Sequence, residues 1–319
     1  MGPMMPQLLV MRCVACGRAS GVEKQAAKAD YLPLPTGEMP EHRQQRDRTA
    51  TLKNQRQGVH MKIITALFAL VPALAWAGPF DGTWVGRVED STVTGKPDTY
   101  LVANGEFTCG ACYPGLKIKA DGSDQKVVGH AYYDAASAKV QDAQRVQMST
   151  RAAGKLWAEH TYTVSADGKT MTEEFVSYQG PSPSKAKFMY SRVAPGPAAA
   201  HALSGSWQSV AAGSSMSADL LTVTYVDSAD GLKMTTPTGQ SFDAKFDGKE
   251  YLTAGDPGKT MVSLKRIDAR TIQETDTREG KVTDLIVYKV SADGKTMHVV
   301  DEDKLHGTKL TYTADKKAM

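Results

Sequence analysis

Cys109-Gly110-Ala111-Cys112 places two thiols three residues apart, a spacing that can close a disulfide, cycle as a redox pair or start a metal site. Tyr113-Pro114-Gly115 follows at once and predicts a turn, whereas a redox pair wants its first Cys at a helix N-terminus that lowers the thiol pKa. Haem attachment needs His where the chain has Tyr113, and zinc needs two further ligands. The expectation is a local structural disulfide between Cys109 and Cys112, with a redox role as the weaker alternative. A second group, His298, Asp301, Asp303 and His306, crowds one C-terminal hairpin with four residue types that ligate metals. Strand parity separates His298 from Asp301, so a solvated turn is expected and no metal site is assigned. His160 falls among apolar residues on the inner face of a strand, either as a hydrogen-bonded core residue or as a ligand contact. No Gly-rich phosphate loop, Gly-x-Ser-x-Gly elbow or helical His-Glu-x-x-His is present, and no carboxylate pair has a spacing that demands catalysis. No catalytic residue and no cofactor are assigned, and the protein is not expected to be an enzyme.

The elements that position these residues come in two copies. Val164-Ser165-Ala166-Asp167-Gly168-Lys169-Thr170-Met171 recurs letter for letter at Val290-Ser291-Ala292-Asp293-Gly294-Lys295-Thr296-Met297, an offset of 126. The same offset maps Asp121-Gly122 onto Asp247-Gly248, Gly154-Lys155 onto Gly280-Lys281 and Tyr162 onto Tyr288. Gly82-Thr83-Trp84 matches Gly205-Ser206-Trp207 at a slightly shorter offset, and each copy spans about 110 residues. Both copies show the period of strands. Leu156, Ala158, His160, Tyr162 and Val164 share one face, and Val282, Asp284, Ile286, Tyr288 and Val290 form the aligned inner set. Asn-Gly and Asp-Gly pairs mark tight hairpins at short intervals. Each copy therefore reads as eight to ten antiparallel strands, closed into a barrel or folded into a sandwich. Trp84 and Trp207 are expected to close the barrel bottoms. The aligned pairs Phe188 with Leu310 and Tyr190 with Tyr312 belong either to the core or to a cavity wall.

Upstream, Met61-Lys62, an apolar stretch at 63–74 and Ala75-Trp76-Ala77 have the order of a secretory signal cut after Ala77. Residues 1–60, with Cys13 and Cys16, lack an apolar period and read as a mis-annotated or disordered leader. The organisation is then 1–60 leader, 61–77 signal peptide, 78–194 first barrel repeat, 195–202 linker around Ala194-Pro195-Gly196-Pro197, and 203–319 second barrel repeat. The whole chain has 319 residues and a formal charge of +3, but from Gly78 onward it has 28 Lys and Arg against 30 Asp and Glu, a net charge of −2. That near-neutral balance gives no basic footprint for nucleic acid. A composition of 41 % apolar and 23 % charged residues excludes collagen, coiled coil and wholesale disorder. No apolar run reaches a membrane span of about 18 residues. The expected location is periplasmic or secreted.

Gly-x-Trp at the start of a hairpin meander behind a signal peptide resembles the lipocalin and fatty-acid-binding (calycin-like) group of barrels. More closely, the chain resembles exported bacterial proteins of unassigned function with two lipocalin-like halves. The stretches shared with them are the second octapeptide and Asp303-Lys304-Leu305-His306-Gly307. The resemblance covers about 240 residues and implies an all-β fold of two tandem antiparallel β-barrels, with a cavity by analogy only. Later-loop stretches usual in the lipocalin group are not found. The expected function is non-catalytic binding of a small, partly apolar ligand in a barrel cavity, with His160, Tyr162, Ile286, Tyr288, Phe188, Tyr190 and Tyr312 as candidate contacts. The alternative is a cell-envelope interaction module with packed barrels, whose partners are envelope components.

Overall fold

The computed structural model describes residues 78–318, so the leader and signal readings on residues 1–77 lie outside the described residues. Alternation of apolar and polar residues makes strands almost throughout. In Thr170–Ser177, Met171, Glu173, Phe175 and Ser177 are buried on one face, and in Thr271–Arg278 the inward set is Ile272, Glu274 and Asp276. A single helical turn, Ala218–Leu221, is the only helix among the described residues. No helix among them is long and apolar enough to cross a membrane.

The repeated octapeptides owe their identity to turn chemistry. Asp167 accepts hydrogen bonds from Ser165 Oγ (2.7 Å) and the Lys169 amide (3.0 Å), and Asp293 accepts from Ser291 Oγ (2.6 Å) and the Lys295 amide (3.1 Å). Gly168 and Gly294 both sit at φ +70°, a left-handed conformation that a side chain would strain.

Two antiparallel sheets form, each nearly closed. The first runs Leu116–Lys119, Glu106–Cys109, Asp98–Ala103, Gly205–Met216, Ser184–Pro195, Thr170–Ser177, Lys155–Val164, Arg145–Ala152, Ala135–Val140, Gln125–Lys126. A bridge between Asp121 and Lys139 brings its two edges together. The second runs Ser241–Lys245, Gly231–Thr235, Thr222–Asp227, Gly82–Gly86, Thr308–Lys316, Thr296–Asp303, Lys281–Val290, Thr271–Arg278, Met261–Asp268, Tyr251–Leu252, with Thr92–Gly95 also paired to Thr308–Lys316. Ser241 and Ala254 bridge its edges. Closure leaves few unpaired strand edges, which is how meanders of this kind avoid edge-to-edge association.

The copies exchange their first strands. Gly82–Gly86 pairs with Thr222–Asp227 and Thr308–Lys316, in the second barrel. The matching strand Gly205–Met216 pairs with Ser184–Pro195 and Asp98–Ala103, in the first. The first barrel is therefore one continuous stretch from Asp98 to Met216, and the second is completed by Gly82–Gly86, the first strand among the described residues. Residues 195–202, expected as a linker, connect two hydrogen-bonded neighbours within the first sheet.

Apolar side chains fill two separate cores, with Trp84 in the second and Trp207 in the first. Each indole is fully buried and donates to the carbonyl four residues before it, Trp84 to Phe80 (2.8 Å) and Trp207 to Leu203 (2.9 Å). Arg192 lies 3.9 Å over Trp207 and Lys316 5.2 Å over Trp84, a cation stacked on each ring. One member of the expected inner set is displaced. Val282 is 45 % exposed, because a register shift between Asp276 and Thr277 turns Thr283 and Asp284 inward together. A bulge of that kind resets the alternation by one residue.

Candidate functional site

The strand register distributes the seven candidate contacts between the two interiors. His160, Tyr162, Phe188 and Tyr190 lie in the first barrel, and Ile286, Tyr288 and Tyr312 in the second; all are buried. His160 stands between Met148 and Phe175 on neighbouring strands. Its Nδ1 lies 2.7 Å from Glu173 Oε1, and the Tyr190 hydroxyl donates to Glu173 Oε2 at 2.7 Å. Both oxygens of Glu173 are thus bonded, while His160 Nε2 has no partner. The Phe175 ring meets the imidazole edge-on at 4.8 Å, and Tyr100 stands 5.1 Å from Tyr162. Burial, then the charge of Glu173, raises Tyr162 well above its ordinary value and keeps it a neutral hydroxyl.

At matching positions the second barrel carries different chemistry. The row Met148, His160, Phe175 becomes Glu274, Ile286, Asp301, through pairings of Glu274 with Ile286 and of Ile286 with Asp301. The next row toward the same barrel end holds Asp276 opposite Asp284, and Asp284 opposite Asp303. Glu274, Asp276 and Asp301 are each 0 % exposed, and none of their six oxygens has a hydrogen-bond partner. Glu274 and Asp276 lie within reach of each other, but as two acceptors they can bond only when one holds a proton. The hydroxyl of Tyr312 is buried beside them without a partner, while the Tyr225 hydroxyl meets that of Tyr288 and their rings stand edge-on at 6.2 Å.

The electrostatics follow from burial. Loss of water pushes Glu274 well above the usual carboxylate range, with Asp276 and Asp301 adding repulsion. Burial first, then the charge of Asp284, raises Asp276 to about 8. Asp301 is raised by burial and by Asp284, Asp276 and Asp303. Tyr225, Tyr288 and Tyr312 are raised by burial first, with Glu274 among the repelling neighbours. An ionised carboxylate without a partner costs several kcal/mol to bury, roughly.

The acidic rows occupy one half of the barrel. Strand Lys281–Val290 runs from the acidic end toward Trp84, whose own pairing to Lys316 places it beside Val290, Met297 and Ala314. That floor is apolar. Toward the other end, Gln240, Thr253 and Thr308 add further buried polar atoms without partners. Loops of the first barrel pack there: Arg278 Nη2 donates to Tyr132 Oη (2.6 Å), and the Tyr113 ring stands edge-on to His306 at 5.8 Å. A cleft of about 700 Å³ opens at the opposite, Trp84 end, lined by Gly78, Asp227, Arg266, Arg270 and the 291–294 turn. There Arg266 is already paired with Asp227 and stacked 4.2 Å over Phe246, so the cleft presents no comparable unsatisfied group.

The C-terminal hairpin divides as strand parity implied, with His298 exposed and Asp301 inside. Asp303 caps the turn, accepting the Leu305 amide (2.8 Å) and the His306 amide (2.9 Å), and it pairs with the His306 ring. No three His, Cys, Asp or Glu side chains among the described residues converge as a metal-binding set. Cys109 and Cys112 form a disulfide with Cα atoms 5.3 Å apart, both cysteines being buried. It anchors the loop that carries Tyr113.

Glu274, Asp276 and Tyr225 escaped the sequence reading. The available signal was parity: Ile272, Glu274 and Asp276 alternate on one strand opposite the apolar face of Lys281–Val290. Fold and site together define an all-β protein of two nearly closed antiparallel barrels, one with an internally bonded carboxylate and one with an acidic, unsatisfied interior. Comparison with protein-family models, curated proteins and solved structures gives no match.

Proposed function

We propose that the protein is an exported, non-catalytic binding protein that takes a small, partly apolar ligand in its second barrel. One observation carries this reading: fully buried polar groups, Asp301 and Tyr312 without partners and Glu274 and Asp276 within reach only of each other, cluster in one half of an otherwise apolar interior. Buried polar atoms in folded proteins are nearly always bonded, and exceptions concentrate where function requires them. A site with an apolar floor and a few convergent polar groups has the composition of a small-molecule site. The likeness to lipocalin and fatty-acid-binding barrels belongs to the same reading, as does a periplasmic or secreted location.

The packed-module alternative draws its support from the first barrel, where Glu173 is bonded by His160 and Tyr190. We read that barrel as the structural partner and the second as the binding one. The redox alternative lacks geometry in its favour, because Cys109 is 2 % exposed and offers a reductant no approach. The test is uptake of N-phenyl-1-naphthylamine, a neutral apolar dye, together with native mass spectrometry of protein from its own host. Dye fluorescence that rises on binding, and falls when a retained molecule is added back, is expected. No retained mass and no dye uptake would overturn the reading.

A further inference from the structure

Gly78 precedes the exchanged strand Gly82–Gly86 and is the first residue after the expected signal cut. Resting on the export proposed above, we propose that cleavage after Ala77 leaves a Gly78 ammonium group that ion-pairs with Asp227 and so fastens Gly82–Gly86 in the second barrel. Hydrolysis of the Ala77–Gly78 bond by a host endopeptidase consumes one water and leaves a carboxylate on Ala77 and an ammonium on Gly78. While the leader is attached, the same nitrogen is a neutral amide.

The geometry at Gly78 suits a cation and has no room for a side chain. A Cβ built on Gly78 would collide with Oδ2, Cγ and Cβ of Asp227, its three nearest atoms. Asp227 is 5 % exposed; its Oδ1 pairs with Arg266, and its Oδ2 accepts the Phe80 amide at 3.3 Å. An ionised carboxylate oxygen accepts two hydrogen bonds, so Oδ2 has a place left on the side of Gly78. The Asp227 amide donates to Asp81 Oδ1 (2.6 Å) and the Asp81 amide to the Gly78 carbonyl (3.1 Å), which holds the turn against the acid. Asp81 is thus a second carboxylate at this turn. Of the other charged groups, Arg270 and Asp293 line the cleft of about 700 Å³ that opens beside Gly78, one of each sign. That opening gives the freed chain end room to turn toward Oδ2.

The first barrel shows the arrangement without a cut. His201 stands six residues before Trp207 as Gly78 does before Trp84, and its carbonyl accepts the Ser204 amide (2.8 Å). Gly82 pairs with Tyr225 and Gly205 with Tyr100, which puts Val102 where the second barrel has Asp227. There the chain runs on through residues 195–202, and His201 holds the strand start itself. Its amide donates to the Val102 carbonyl (3.0 Å) and its ring Nε2 to the Asp142 carbonyl (2.7 Å). The acid and the missing side chain therefore occur together, in the copy where the expected cut falls.

Two measurements test this. Intact mass and N-terminal sequencing of protein from its own host's envelope should show a chain that begins at Gly78. A cut elsewhere overturns the proposal alone, and an uncut leader overturns the export reading with it. The second measurement uses residues 78–319, which hold every described strand, with the Gly78 amine free, acetylated, or displaced by retaining Ala77. Carbon-13 glycine labelling lets the Gly78 carbons follow the amine by NMR. The free amine should titrate about 0.5–1 pH unit above its ordinary value of about 7.7–8.0, and Asp227→Asn or a retained Ala77 should return it there. A raised amine stabilises the folded state in full below its unfolded value, and the gain is lost as pH rises through the folded one. At about pH 6.5 the free chain should exceed the acetylated one about three- to tenfold in folding constant by urea unfolding, with no difference left above about pH 10. Acetylation and a retained Ala77 leave the core untouched, so loss of fold does not enter that comparison. A free amine that titrates at its ordinary value, or free and acetylated chains of equal stability, would overturn the ion pair while leaving export and the binding function standing.

Discussion

Replacing Asp276 by Asn should stabilise the protein at neutral and alkaline pH, the opposite of what most buried substitutions do. Asp276 is fully buried and its carboxyl is raised to about 8, by loss of water first and by Asp284 next. In the unfolded chain the same group titrates at about 3.9. Below about pH 4 both states hold the proton and the group adds no pH dependence. Between about 4 and 8 the unfolded chain has released it and the folded chain has not, so the unfolded state binds fewer protons and stability falls as pH rises. Above about 8 the effect levels off. Four units at about 1.36 kcal/mol each come to the order of 5 kcal/mol, and relaxation with water entry in the ionised state lowers this to about 2–5 kcal/mol. Asn keeps the shape and carries no charge, so the variant should exceed the parent by that amount at pH 8 and converge with it near pH 4. Urea unfolding at pH 4.5, 6, 7 and 8 measures the difference directly. Glu274, Asp284, Asp301 and Asp303 face the same space; Asp276 raises Glu274 and Asp301, so the variant also relieves those two, and the difference with the parent reports the acidic group as a whole. A variant that is less stable than the parent at pH 8, or a difference that does not grow with pH, would show that Asp276 is ionised and favourably paired, and would refute the reasoning.

Glu173→Leu should act in the other direction, destabilising the first barrel by about 1–3 kcal/mol because it removes the buried acceptor that Tyr190 bonds and leaves His160 Nδ1 without that contact; chemical denaturation at pH 7 measures this, and a loss below about 0.5 kcal/mol would mean the bonds contribute nothing. The exchanged strands predict that a chain of residues 98–217 folds cooperatively alone, whereas residues 203–319 do so only when 78–95 are supplied. Amide hydrogen-exchange protection on the two fragments decides this, and a stably protected 203–319 fragment would contradict it.

Strand content and duplication were legible because both are local. Period-two alternation in Lys155–Val164 and the Asp-Gly turns need no tertiary information, and the octapeptide repeats because Asp167 and Asp293 build the same hydrogen-bonded turn. The exchange of first strands was not legible, since Gly82-Thr83-Trp84 and Gly205-Ser206-Trp207 present the same pattern to either sheet. Only the path of the connecting segments chooses between them. Val282 shows the reach of alternation: one bulge after Asp276 reverses its face. The acidic site was hidden for a different reason. Comparing the copies drew attention to positions where they agree, such as Tyr162 with Tyr288, while the site lies where they differ, at Met148 against Glu274 and Phe175 against Asp301. A Glu or Asp in isolation reads as a solvated residue, and only the closure of the sheet turns it inward.

Duplication followed by strand exchange separates stability from binding. The first barrel closes within one continuous stretch, Asp98 to Met216, and satisfies the buried Glu173 carboxylate with Tyr190 and His160. The second carries three acids whose burial opposes folding, and it closes only through contacts of long sequence separation, such as Thr83 with Thr224, 141 residues apart. Contacts so distant form late and at greater entropic cost. Threading Gly82–Gly86 through the second barrel before the chain enters the first, with Thr92–Gly95 lying on Thr308–Lys316 between them, ties the costly barrel to the self-sufficient one. The interface at the acidic end, through Tyr132 with Arg278 and Tyr113 with His306, adds to that support. A single barrel carrying Glu274, Asp276 and Asp301 would have to offset their burial alone; in the paired arrangement, part of that load is met by contacts that a lone barrel lacks.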